Sequence, residues 1–322
     1  MPQDNDLHNS TVNNTPIPTH RQHRSFCKDG PKRRLIMASC FVFLLLLLAA
    51  VIIGPTLAFL ASGSSNRPLK VAAFNIRYFG RNKMLDTTVA NHIAEILVRY
   101  DVILVQEVRD ASGRSLKNLW SLLNKTDDWG LVASARIGRT RYKEQYVFYY
   151  RVNLAHLLGT YQTPDSSDVY EREPFSVEFE YFSVSPGVRK RVVLMALHAR
   201  PKDAFNELGH LPTSIKSAAS HFKDAGGVVA MGDFNADCRY VSATKKSKLE
   251  IFRDDSQFIS LIPHSADTTS GHTDCAYDRI IVFGNDIRAR DAKVYNFQRA
   301  MGLSDEATGD ISDHYPVEFQ LY

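Results

Sequence analysis

The sequence predicts an α/β (α+β) fold: two packed β-sheets with helices on their outer faces, preceded by a single transmembrane helix. Three observations predict it. Apolar runs of strand character outnumber helical patterns. Several of these runs follow one another with no crossover helix between them, which suits two packed sheets better than one doubly wound sheet. Ahead of them all, residues 35–61 carry no charge.

The chain opens with residues 1–34, which are polar and lack apolar periodicity, and are expected to form a disordered cytosolic tail. Residues 35–61 would span about 40 Å as a helix, more than the roughly 30 Å hydrocarbon core. They are expected to act as a transmembrane signal-anchor. Lys28, Lys32, Arg33 and Arg34 precede this span, and only Arg67 and Lys70 follow closely. The positive-inside bias then predicts a single-pass type II protein with its large C-terminal part extracellular or lumenal. Cleavage near "ASGSS" would release that part as a secreted protein. Residues 62–68 form a linker, and residues 69–322 the globular domain.

Within that domain "LKVAAFNI" and "DVILVQEV" are expected strands. The segment between them sets Val89, Ile93, Ile96 and Leu97 at helical spacing, giving a strand–helix–strand unit. "EQYVFYYR" and "FSVEFEYFSV" are further strands, and the second alternates Phe175, Val177, Phe179 and Tyr181 as if one face is buried. "KRVVLMALHA" is a strand, and "PTSIKSAASHFKDAGG" a helix closed by Gly226 and Gly227. "GVVAMGDF", "DRIIVFG" and "HYPVEFQLY" complete the set.

Charge is uneven. Residues 1–68 hold seven Lys/Arg against three Asp/Glu, whereas residues 69–322 hold 32 of each. This balance excludes a domain that holds nucleic acid by net charge alone. Cys238 and Cys275 are the only cysteines of the globular part, and an oxidising compartment would let them pair. Asn124 heads a glycosylation sequon on the same side of the membrane.

Polar residues of catalytic type gather where strands end. Asn75 closes one strand, Glu107 and Arg109 another, His198 a third, and Asp233 and Asn235 a fourth. Asp278, Asp313 and His314 sit at the edges of two more, and Tyr142 and Glu144 precede a strand. Singly, each has an ordinary structural use as a turn cap or hydrogen bonder. Together, on one edge of a sandwich, they would share a cleft. The carboxylates and amides are hard oxygen donors that suit Mg²⁺ or Mn²⁺ and not zinc. Two histidines, each beside a carboxylate, would move protons to and from a phosphate ester.

At these residues the sequence resembles the deoxyribonuclease I family of the endonuclease/exonuclease/phosphatase superfamily. "LKVAAFNIRYFG", "YDVILVQEVRD", "ALHARPKDA", "MGDFNADCRYV", "CAYDRI" and "ISDHYPVEF" carry the likeness, in the family's order. The fold it implies is a four-layer sandwich of two mixed β-sheets flanked by helices. It implies metal-dependent endonucleolytic hydrolysis of DNA to 5′-phosphate ends with little sequence preference. His198 and His314 would be the acid–base pair, oriented by Glu144 and Asp278. Asn75, Glu107, Asp233, Asn235 and Asp313 would hold Mg²⁺ or Mn²⁺ and the phosphate. Arg109, Tyr142, Arg172 and Tyr240 would contact DNA. Asp267 and Thr273 match a structural Ca²⁺ site, and Cys238 with Cys275 the family's main disulfide.

Three departures narrow the resemblance. "TPDSSDVY" lacks the family's second cysteine pair, Thr140 and Arg141 replace smaller or amide side chains, and "WGLVAS" lacks the actin-binding surface, so no actin partner is expected. The expected partners are DNA and, through the anchor, a membrane, with the chain acting as a monomer. The role of Asp237 stays open beyond a turn cap. Two competing readings are a superfamily phosphatase or phospholipase acting on inositol phosphates or sphingomyelin, and an inactive DNA-binding relative.

Overall fold

The computed structural model describes residues 67–322. The expected tail, the expected anchor and the linker up to residue 66 lie outside the described residues. No helix among the described residues is long and apolar enough to cross a membrane.

The chain enters at β1 (Leu69–Asn75), then forms α1 (Arg81–Leu85) and α2 (Thr87–Leu97) before β2 (Val102–Val108). It continues through α3 (Arg114–Leu123), β3 (Trp129–Ala133), β4 (Gln145–Arg151), β5 (Ala155–Gln162), β6 (Phe175–Phe182) and β7 (Arg189–Ala196). Next come α4 (Ala204–His221), β8 (Val228–Asp233), α5 (Ala243–Lys246), β9 (Phe258–Ser260) and β10 (Asp278–Phe283). The chain closes with β11 (Ala289–Val294), α6 (Phe297–Met301), α7 (Asp305–Ile311) and β12 (Val317–Leu321).

These strands form two mixed six-stranded sheets, ordered β11-β12-β1-β2-β4-β3 and β5-β6-β7-β8-β10-β9. Each sheet holds one parallel pair, β1–β2 or β7–β8, and its other neighbours are antiparallel. A helix bridges each parallel pair, as a parallel connection requires. Period-two alternation then builds the layers. Val71 and Ala73 of β1 face Val177, Leu194 and Met231 in a core between the sheets. Ala72 and Phe74 point the other way, onto Ile93, Ile96 and Leu97 of α2. Val193 and Met195 of β7 likewise meet Leu208, Leu211 and Ile215 of α4. The result is helix, sheet, sheet, helix.

Two expectations need correction. α4 begins at Ala204, eight residues before Pro212, which lies inside the helix. A proline favours the first helical turn, and that preference misplaced the start. Here the buried stripe of Leu208, Leu211, Ile215 and Ala218 holds the helix across the proline. In β6 the alternating residues Phe175, Val177, Phe179 and Tyr181 are buried, but so are Ser176 and Glu178 on the opposite face. Asn124 closes α3: its side-chain amide donates to Trp120 O and accepts from Trp129 N. The expected disulfide joins Cys238 to Cys275.

Candidate active site

The site forms where the two central parallel pairs end together. One buried side chain fastens the sheets there. Gln106 of β2 donates to Leu197 O at 2.7 Å and accepts from Asp233 N at 2.9 Å, so it spans from one sheet to the other. Gly232, at φ +130°, leaves room for this amide; a Cβ there would lie 2.6 Å from Gln106 Nε2. The ladder between β2 and β4 shifts register between Val105 and Val108, and Glu107 adopts φ +58°. Such a bulge re-aims a side chain, here the Glu107 carboxylate toward Asn75.

Two histidine–carboxylate dyads face one oxygen. Glu144 Oε2 lies 3.0 Å from Nδ1 of His198, and Asp278 Oδ2 lies 2.8 Å from Nδ1 of His314. Both imidazoles keep Nε2 free of these partners. Those nitrogens lie 3.5 and 3.7 Å from Asp233 Oδ2. The His198 backbone donates to the buried Tyr146 hydroxyl at 2.8 Å, which fixes the loop that carries the ring.

Electrostatics differs between the dyads. Burial opposes ionisation of Glu144, but His198, Arg172 and Arg109 outweigh it and hold the carboxyl well below the usual range. Burial also opposes the His314 cation, yet Asp278, Asp233 and Asp313 push its pKa up to about 10. Burial raises Asp278 as well. The upward shift of His314 governs this pair, because three carboxylates face one imidazole.

A donor set for a cation lies alongside. Asn75 Nδ2 is 3.2 Å from Glu107 Oε1 and 3.1 Å from Asp233 Oδ2, while Asn75 Oδ1 is buried without a hydrogen-bond partner. A buried amide oxygen left unpaired, on a residue that adjoins two carboxylates, fits a hard cation such as Mg²⁺ or Mn²⁺. Ligand-type atoms of Asp233, Asp278 and His314 also lie within 4.8 Å of one another. That trio fits a cation less well, because Asp278 and His314 already bind each other. Asn235 adjoins the oxygen set, with its backbone N–H on Asp233 Oδ1 and its amide on Ala199 O. Asp313 stands at the rim, half exposed, 3.9 Å from His314 Nε2 and 3.5 Å from Arg77 Nε.

The expected DNA contacts fall on two flanks. Tyr142 is 63% exposed and lines a cavity of about 430 Å³ with Arg109, Glu144 and Arg172. Arg109 binds Glu107 and Glu144, each at 2.9 Å. Arg172, expected to contact DNA, lines this cavity and is also an ion-pair partner of Glu144. Its side chain is 13% exposed, its Nε lies 2.7 Å from Glu144, and it donates to His198 O. On the other flank Tyr240 packs on Tyr277, and Tyr277 packs toward His314.

Asp267 and Thr273 lie on either side of the Thr269 hydroxyl, which is 2.9 Å from Asp267 Oδ1 and 2.7 Å from Thr273 O and can donate its one proton to either. Asp237, left without a role by the sequence, binds Lys246 and accepts from Ala276 N at 3.0 Å. With the disulfide it pins the segment that leads into Asp278. Sequence reasoning missed Gln106 and Tyr146. A polar residue inside the apolar run "ILVQEV" was the one available signal for Gln106.

Residues 72–314 match the family model described as Endonuclease/Exonuclease/phosphatase family. Deoxyribonuclease-1 of Bos taurus is 42% identical over 266 residues, covering 79% of this chain and 92% of that protein. Deoxyribonuclease-1-like 2 of Mus musculus is 41% identical over 256 residues, covering 78% and 90%. Among solved structures, the human Nocturnin catalytic domain with bound sulfate superposes with a TM-score of 0.53 at 16% identity, covering 81% of this chain and 95% of that one. At that identity the last likeness speaks for the fold alone.

Proposed function

The chain belongs to the deoxyribonuclease I family within the endonuclease/exonuclease/phosphatase superfamily and is a deoxyribonuclease I-like hydrolase, and from that premise we propose that it is a divalent-metal-dependent endonuclease cutting DNA to 5′-phosphate ends with little sequence preference. The observation that carries this reading is the convergence of His198 Nε2 and His314 Nε2 on one oxygen of Asp233. Two proton-transfer groups set close together can serve the two sides of one phosphodiester.

The chemistry follows from which nitrogens are engaged. Glu144 and Asp278 occupy the Nδ1 positions, so each imidazole exchanges its proton at Nε2. One imidazole takes a proton from the attacking water as its oxygen bonds to phosphorus. The other delivers a proton to the leaving O3′ as the P–O3′ bond breaks. Asn75, Glu107 and Asp233, with Asn235 and Asp313 beside them, would hold Mg²⁺ or Mn²⁺. When bound, that ion supplies positive charge to the phosphoryl oxygens. Asp267 and Thr273 are proposed as a Ca²⁺ site that stiffens the loop before Cys275. Arg109, Tyr142 and Tyr240 would meet the DNA backbone and groove, while Arg172 acts mainly by holding Glu144.

The uncharged segment at 35–61 and the basic residues before it support tethering to a membrane as a type II protein, with the catalytic domain outside or lumenal. The tail, anchor, linker and catalytic domain at 1–34, 35–61, 62–68 and 69–322 follow from this reading. The active form is proposed to be a monomer that does not bind actin.

Plasmid nicking in Mg²⁺ with Ca²⁺ tests the proposal. Wild-type protein should nick supercoiled DNA, EDTA should abolish nicking, and His198→Ala and His314→Ala should each lose several orders of magnitude. Near-normal nicking by both variants would refute the assigned roles. Phosphate or choline release without nicking would move the assignment to a phosphatase or phospholipase.

A further inference from the structure

Tyr78 is an unusual residue at an unusual place. It adopts φ +54°, a region that bulky side chains rarely occupy. Its ring is 56% exposed instead of buried. The conformation is held from below, where its backbone N–H donates to Glu107 Oε2 at 3.0 Å. The ring is held from the side, with the Arg109 guanidinium 4.2 Å from its centroid and that of Arg77 at 5.4 Å. Tyr78 lines the same cavity of about 430 Å³ as Tyr142, with Arg109, Arg172 and Arg200. Strain of this kind persists when the surrounding structure over-determines it, and it concentrates at functional sites.

We propose that Tyr78 is a substrate-contacting residue whose ring stacks on the nucleoside next to the scissile phosphate, and so sets the affinity for polynucleotide. This rests on the nuclease reading above. Four features of the position argue for it. The ring caps no apolar cluster, so packing does not explain it. Its backbone touches the Glu107 carboxylate, so a stacked nucleoside would lie beside the hydrolytic centre. Arg77 and Arg109 flank it, which places cations where the phosphates on either side of a stacked nucleoside would run. Tyr142 lines the same cavity and supplies a second aromatic surface.

A different role is conceivable on the same geometry: the ring positions Arg109, and Arg109 in turn holds Glu107 and Glu144. That role would act on turnover through Glu107 and Glu144 and on the salt slope through the charge Arg109 presents to DNA, whereas stacking acts on binding and leaves both unchanged. Tyr78→Gly separates them, because glycine keeps the N–H to Glu107 and suits φ +54° while removing the ring. Kinetics on a single-stranded oligonucleotide should show KM raised roughly 5- to 140-fold, the range expected from losing one stacking contact of about 1–3 kcal/mol. kcat should stay within about twofold, and the slope of log KM against log salt should not change, since no charge is lost. Tyr78→Phe should match the wild type. An unchanged KM, a loss confined to kcat, or a Phe variant as impaired as the Gly variant would overturn the proposal. Absence of nicking by the wild type would instead overturn the nuclease reading itself.

Discussion

Asp278 receives the Nδ1 side of His314 at 2.8 Å from a position with no solvent exposure. The carboxylate therefore fixes the ring and its tautomer without touching substrate. Asp278→Asn should lower kcat about 10²- to 10⁴-fold, because an amide can present its N–H and turn the ring to the wrong tautomer. The Mg²⁺ concentration for half-maximal rate should not move. A large shift in that concentration would make Asp278 a cation ligand instead.

Arg172 and Glu144 form a mostly buried pair whose second function is to set His198. Removing Arg172 leaves Glu144 with Arg109 and His198 as partners, so the cost falls below the roughly 3–5 kcal/mol typical of a wholly uncompensated buried charge. Arg172→Met should therefore lower the melting temperature and kcat together. Tyr142→Ala should raise KM and leave the melting temperature alone. Thermal melts beside steady-state kinetics distinguish the two, and a stable Arg172→Met with only a raised KM would return Arg172 to the groove.

Glu207 of α4 is buried and accepts from the backbones of Glu171 and Arg200. Burial pushes its carboxyl up to about 7, against an ordinary value of 4.5. Between those two pH values the unfolded chain has released the proton and the folded chain still holds it. Stability from this group thus falls as pH rises through that window, and the penalty is complete above about pH 7. Its full size is on the order of 3 kcal/mol. Denaturant melts from pH 4 to 8 should show a decline in wild type that is smaller by about this amount in Glu207→Gln. Parallel curves for the two proteins would reject the shift.

The Cys238–Cys275 bridge closes a separation of 37 residues. In the chain-entropy model it contributes about 4 kcal/mol. Because the bridged segment runs directly into Asp278, its loss should also loosen the His314 dyad. The double serine variant should melt lower and retain less activity even at temperatures where it is fully folded. Full specific activity in the folded variant would show that Asp237 and Lys246 alone hold the segment.

Local pattern carried much of the fold. The apolar runs at 69–76, 101–108 and 227–234 became strands because a short continuous apolar run, buried on both faces of a sheet, is a property of a few consecutive residues. The start of α4 was not legible, since a stripe spanning Leu208 to Ala218 decided it against the usual preference for proline. In the site, residue types were legible from the residues themselves, and the pairings of Glu144 with His198 and Asp278 with His314 only through the family resemblance. Arg172 looked like a DNA contact, and its pairing with Glu144 was not legible. Tyr78 gave no signal, because neither a positive φ nor an exposed ring is written in composition.

By itself, the sequence determined which hard oxygens and imidazoles exist and that they cluster at strand ends. Tertiary structure alone decided that both Nε2 atoms converge on Asp233 Oδ2, and that Gln106 ties β2 to Leu197 and Asp233 beneath them. The physical reason is one of range. Periodicity and turn chemistry act between near neighbours, whereas the packing of two sheets and the satisfaction of buried polar groups are settled only when distant segments meet.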